Sequence, residues 1–131
     1  MDTISYSRIK QMSPQFLVAD IERSIEFYTK KLGFSIDFRY EDFYAGITRD
    51  GFSIHLKTGP PLIDLRQHKK NNGHLDLSFS VEGIEYFYKD LLSNAVEITQ
   101  SLREMPYGRE FYIADPDGHI IAFLEELPTT T

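Results

Sequence analysis

The chain runs through the same order of elements twice, and this repetition constrains its fold more than any other feature. Val18 then Ile21 mark a strand passing into a helix, and Val81 then Ile84 mark a second such junction. In the first half, Phe16 and Val18 alternate with Gln15 and Leu17 over Pro14–Ala19, the period of a strand. Asp20 stands where a helix N-cap is wanted, its carboxylate able to accept from orphan first-turn amides. Ile21, Ile25, Tyr28 and Leu32 then follow on one helical stripe, and Gly33 ends it by accepting the left-handed conformation. Ile36, Phe38 and Tyr40 alternate with Asp37 and Arg39; Phe43, Ala45 and Ile47 form another run. Asp50-Gly51 is a hairpin signal of the type I′ kind, leading into Phe52, Ile54 and Leu56 alternating with Ser53, His55 and Lys57. The order is strand, helix and three strands, βαβββ.

The pattern restarts after a polar, proline-containing stretch from Thr58 to Gly73, with room for a helical turn at Leu62–Gln67. Leu75, Leu77, Phe79 and Val81 make a strand whose other face carries His74, Asp76, Ser78 and Ser80. A helix with Ile84, Phe87, Tyr88, Leu91 and Leu92 on one face follows, then strands at Val96–Ile98, Glu110–Ala114 and His119–Leu124. Asp115-Pro116-Asp117-Gly118 supplies a turn with no chemistry of its own. A period of about 60 residues met twice reads as a duplicated module, since a solenoid needs three or more units. The fold class is α+β: two βαβββ modules forming curved, mostly antiparallel sheets. One domain, residues 1–131, contains a first module at 12–57, a linker at 58–73 that can act as a lid, and a second module at 74–127. Residues 1–11 read as a polar arm.

Each sheet covers one face with its helix and leaves the other for something else. The remaining faces carry Ser53, His55 and Lys57 in one half and His74, Asp76, Ser78 and Ser80 in the other, too polar for a core. Two polar, histidine-bearing faces point to a cavity or to an interface that makes one. The charge of −6 argues against nucleic acid, whose binding needs a basic face, and the absence of cysteine removes disulfides and thiolate chemistry. No apolar run is long enough for a bilayer, and Met1–Lys10 has no apolar signal core, so a cytoplasmic protein is expected. There is no glycine-rich phosphate loop and no Gly-x-Ser-x-Gly elbow.

Pro14-Gln15-Phe16-Leu17-Val18-Ala19-Asp20, with Ser24-Ile25-Glu26-Phe27-Tyr28 and Leu32-Gly33-Phe34, resembles the opening of the glyoxalase/bleomycin-resistance/dioxygenase group, the vicinal oxygen chelate superfamily. Pro106-Tyr107-Gly108-Arg109-Glu110-Phe111 and Asp115-Pro116-Asp117-Gly118 resemble the bleomycin-resistance proteins in particular. The likeness runs over about residues 13–127 and implies paired βαβββ modules and a homodimer with two ligand sites, in which one fold hosts several chemistries. In the family's metalloenzymes four strand positions hold a divalent ion, and by motif position these are Ser13, His55, His74 and Ala122 here. Ala122 has no donor atom and Ser13 is a weak neutral ligand, so two imidazoles remain, short of the three protein ligands of a catalytic zinc. His68 and His119 stand in the linker and a turn. With these departures from the family pattern no metal, no cofactor and no catalytic residue are expected; His55 and His74 either line a pocket, the favoured reading, or are inert, partly exposed strand residues.

Phe38, Tyr40, Phe43 and Tyr44 lie close together beside Asp37, Glu41 and Asp42. Alternating strand aromatics commonly belong to a core; the ligand reading makes them a stacking wall with an acidic rim for a planar, cationic compound. The ligand-binding residues expected on the first module are Asp37, Phe38, Phe43, Ser53 and His55. On the second they are His74, Asp76, Tyr107, Gly108 and Arg109, with Tyr107 where resistance proteins carry Trp. Arg109 and Glu110 also fit a plain ion pair. The leading reading is a bleomycin-resistance-like protein that sequesters a small planar or cationic compound, such as a bleomycin-like glycopeptide, in a homodimer. The alternatives are a metal-dependent glyoxalase-like lyase, epimerase or ring-cleaving dioxygenase, and a structural or regulatory dimer.

Overall fold

A computed structural model describes residues 6–60 and 63–128. The first half contains β1 (Gln15–Val18), α1 (Ile21–Glu26), β2 (Ser35–Tyr40), β3 (Tyr44–Arg49) and β4 (Phe52–Thr58). After α2 (Arg66–Asn71) come β5 (Leu77–Ser80), α3 (Ile84–Ser93), β6 (Glu97–Met105), β7 (Gly108–Ala114) and β8 (Ile120–Glu126). The two four-stranded sheets have corresponding orders, β1-β4-β3-β2 and β5-β8-β7-β6. In each, the first strand joins the last in parallel and the other pairs are antiparallel.

Local chemistry explains most of the boundaries. The Asp20 side chain accepts from the Arg23 amide at 3.2 Å and caps α1, and Ile21, Ile25, Tyr28 and Leu32 are all buried. Beyond Glu26 the helix widens into a π-helical turn, Phe27–Lys31, before Gly33 stops it at φ +78°. Asp50 and Gly51 both take positive φ, as a type I′ hairpin requires.

Three elements depart from the sequence reading. The strand expected at Val96–Ile98 runs nine residues, Glu97–Met105, because register shifts between Ile98 and Arg103 break the alternation that would have revealed it. The linker helix starts at Arg66, since the Asp64 carboxylate takes the Arg66 amide at 3.0 Å and sets the start there; Leu62 lies outside the described residues. β5 begins at Leu77, later than His74, after Asp76 has spent its carboxylate on the neighbouring segment.

A single core lies on the helix-covered faces of the two sheets and draws on both halves. Phe34 meets Phe79 at 6.3 Å between ring centroids, and Phe16 stacks on His119 at 4.2 Å. The Asp115–Gly118 turn is where the halves lock. Asp115 is buried and accepts from the Tyr28 hydroxyl at 2.7 Å; its Oδ2 also lies 2.7 Å from His119 Nδ1. Asp117 accepts from the Ala19 amide and from Arg23, both at 3.0 Å. The described part of the linker joins this turn: Arg66 donates to the Pro116 carbonyl and Lys69 to the Gly118 carbonyl.

Candidate functional site

The face of the first sheet away from α1 carries an aromatic wall. Strand register places Gln15, His55, Gly46 and Phe38 in one row across β1, β4, β3 and β2. Gly46 has no side chain, and the Phe38 ring lies in the space a Cβ there would occupy. Phe38 stacks on Tyr44 at 5.9 Å and meets the His55 ring edge-on at 5.2 Å. The Tyr44 hydroxyl lies 2.9 Å from His55 Nδ1 and donates to the Gln15 side chain at 3.2 Å. Tyr40 and Phe43 continue the wall, stacked at 6.4 Å and more than half exposed. These rings are thus outside the core, against the commoner fate of alternating strand aromatics.

A hollow of about 390 Å³ beside Phe38 is lined by Gln11, Ser13, Asp37 and His55. Simple alternation puts Asp37 on the face opposite Phe38. A register shift between Ile36 and Phe38 makes Asp37 the extra residue of a bulge, which brings both side chains to one hollow. Ser53 is buried behind it, its Oγ 2.5 Å from that of Ser13, and the Gln11 amide donates to both hydroxyls. Asp37, Phe38, Ser53 and His55 therefore assemble, with Phe43 at the margin.

The second sheet presents a different group. Glu110 is buried, accepting from the Tyr107 hydroxyl at 2.5 Å, from Arg103 at 2.5 and 2.8 Å, and from the Tyr112 hydroxyl at 3.0 Å. Burial alone would raise this carboxyl, but the three donors outweigh it and hold the group below its ordinary range. Burial, with the Glu110 hydrogen bond, raises the Tyr112 phenol; for Tyr107 that hydrogen bond acts first. Tyr107 thus belongs to a network whose centre, Glu110, sequence reasoning assigned only to an ion pair with Arg109. That pair does not form. Neighbours on a strand point to opposite faces, and Arg109 reaches Glu85 at 3.5 Å and Glu125 at 3.8 Å instead. The alternation Gly108, Glu110, Tyr112 was a usable signal for this cluster, whereas Arg103 arrives only through the irregular β6–β7 register.

His74 and Asp76 precede β5, away from both clusters. His74 Nε2 lies 3.0 Å from Asp76 Oδ1, while Asp76 Oδ2 accepts from Lys69 at 2.9 Å and the Ile120 amide at 2.8 Å. Burial raises the Asp76 carboxyl, yet these partners prevail and keep it low. Among the described residues no hydrogen bond, ion pair or ring contact joins the wall on the first sheet to the Glu110 cluster on the second.

The donor set does not fit a metal. Ala122 is buried and offers no donor, the Ser13 hydroxyl is engaged by Ser53 and Gln11, and His55 stands on β4 while His74 precedes β5 and pairs with Asp76. No group of three His, Cys, Asp or Glu side chains converges among the described residues.

With this geometry established, similarity to known proteins places the fold. The model of the glyoxalase/bleomycin resistance protein/dioxygenase superfamily matches residues 8–123. The chain belongs to this superfamily. It is 27% identical to the bleomycin resistance protein of Geobacillus stearothermophilus, over 89% of this chain and 97% of that one. Among solved structures, the fold of the bleomycin-binding protein of bleomycin-producing Streptomyces verticillus, complexed with copper(II)-bleomycin, superposes with a TM-score of 0.67 at 20% identity, covering 92% of this chain and 99% of that one. The genomically encoded fosfomycin resistance protein of Listeria monocytogenes gives 0.72 at 14% identity, covering 92% and 96%.

Proposed function

We propose that this superfamily member captures a small planar or cationic compound, with bleomycin-type glycopeptides as the leading class, and holds it without altering it. The observation that carries the reading is the row of half-buried Phe38 and Tyr44 with exposed Tyr40 and Phe43, lying outside the core with the Phe38 ring over the bare backbone of Gly46. Such a wall stacks a flat heteroaromatic group, at roughly 1 kcal/mol per ring pair beyond burial. Asp37 beside Phe38 gives a cationic portion its counter-charge, and the bleomycin-resistance relatives support the ligand class.

The groove is completed across a homodimer. The first sheet supplies the aromatic wall, the second supplies Tyr107 with the Glu110 network, and within one chain the two clusters make no contact among the described residues. Gly108 sits beside the second cluster on β7, whereas His74, Asp76 and Arg109 make their contacts elsewhere in the chain, and the protein works in the cytoplasm. Neither half presents an activated nucleophile, and the four metal positions do not fit an ion, so passive capture is favoured over lyase or dioxygenase chemistry. Calorimetry with bleomycin and copper(II)-bleomycin tests this: saturable heat at one drug per chain, with the drug recovered unchanged, is expected. No heat at micromolar protein, or a modified drug, overturns the reading.

A further inference from the structure

A second hollow lies between the β3–β4 hairpin and the start of α3. Its walls are phenylalanine from both halves: Phe34 and Phe52 from the first, Phe79, Phe87 and Phe123 from the second, around a space of about 600 Å³. Phe34 and Phe123 are buried, Phe79 and Phe87 half-buried, and Phe52 is 66% exposed at the hairpin. Side chains of this kind left partly open round a concavity have apolar faces available to a guest.

Arg49 gives the hollow a polar anchor. Its guanidinium sits 4.9 Å from the Phe87 ring centroid, and Nη1 donates to the Leu32 carbonyl at 2.6 Å, so the group is held in place from two sides. Nε lies 3.5 Å from Asp50, itself 84% exposed, and Nη2 has no partner among the described residues. The charge at the rim sets the ligand class. Arg49 is countered by Asp50 and Glu82, which disfavours an anion, while no buried carboxylate is present to hold a cation. We infer that this hollow binds an uncharged aromatic compound bearing a carbonyl, its ring among the phenylalanines and its oxygen accepting from Arg49 Nη2. None of its lining residues belongs to the Phe38 wall or the Glu110 network, so the site is independent of the proposed drug groove.

The test uses 6-propionyl-2-(dimethylamino)naphthalene, a neutral naphthyl ketone whose emission shifts blue and brightens in apolar surroundings. Saturable binding at one dye per chain is expected. Phe52→Ala should weaken it about tenfold, because an exposed hairpin ring contributes contact to the guest and little to the core. Val81→Phe, which fills the hollow from the β5 side, should weaken it independently, with thermal melting reporting that both variants fold. Phe38→Ala and saturating bleomycin should leave dye binding unchanged. The inference is overturned by a non-saturating titration, by wild-type dye affinity in folded Phe52→Ala and Val81→Phe, or by loss of the dye with Phe38→Ala or bleomycin. Failure of bleomycin to bind at all leaves this result unaffected and counts only against the drug groove.

Discussion

Phe38 and Gly46 act as a unit: the ring can lie on the sheet only because its cross-strand partner has no side chain. Phe38→Ala should therefore weaken bleomycin binding about tenfold while lowering stability by less than about 1 kcal/mol, since the ring is not in the core. Gly46→Ala should give the same binding defect with Phe38 still present, because the new methyl group displaces the ring. Calorimetry and thermal melting on both variants check this; a large fall in melting temperature for Phe38→Ala would place the ring in the core. Glu110 is the other decisive residue. Its carboxyl is lower in the folded chain than in the unfolded one, so its contribution to stability is complete above the ordinary glutamate range and drains away as the pH falls through and below it. Glu110→Gln should cost about 1–3 kcal/mol at neutral pH and flatten that acid limb, read by urea melts at pH 7 and pH 3.5.

Among the elements, β7 begins at Gly108 for a backbone reason. Gly108 has φ +149°, and any Cβ there would run into the Glu125 carbonyl and the Glu126 backbone of β8. Gly108→Ala should therefore part the β7–β8 ladder at its start, costing about 3 kcal/mol or more and cutting soluble yield, whereas the turn variant Gly51→Ala, with open space around it, should cost about 1 kcal/mol. The junction of α1 with the Asp115 turn is a second element-scale device. Burial and Asp115 push the Tyr28 phenol well up, so stability there is intact below the ordinary tyrosine range and falls as pH rises beyond it. Tyr28→Phe should lose about 1–2 kcal/mol and loosen the α1–turn contact, seen as faster amide exchange at Asp117 and His119, whose amides Asp115 holds.

At the scale of the whole molecule, the two clusters that would have to share a ligand sit on separate sheets. Sedimentation of the untagged protein should show two chains per particle, and the dimer should persist at the concentrations where the drug binds. Metal analysis of the same sample should find well under one ion per chain, because one imidazole on β4 and another ahead of β5 leave a divalent ion short of ligands. One tightly held ion per chain would move the protein from capture to turnover. A further consequence is that the modules share a core and the Asp115 lock, so unfolding should be a single cooperative transition by both circular dichroism and tyrosine fluorescence.

The repeated βαβββ order, the Asp20 cap, the Gly33 stop and the Asp50-Gly51 hairpin were legible in the sequence because each rests on local chemistry: alternation, a capping oxygen, a residue that accepts positive φ. The same alternation put His55 on a face away from the helix, while for Phe38 it left core and ligand wall both open. What failed were positions where two strands must first be paired. The bulge at Asp37 brought an acid that alternation sets opposite Phe38 into the same hollow, and the irregular β6–β7 register delivered Arg103 to Glu110. Likewise, Asp115-Pro116-Asp117-Gly118 reads only as a turn, yet its two acids hold Ala19, Arg23 and Tyr28 of the first half to the second, a role fixed by contacts some ninety residues apart in the chain. Sequence determines which face a side chain takes within its own strand, because that depends on a period of two; which partner waits on that face depends on register between strands, and only the folded chain sets it.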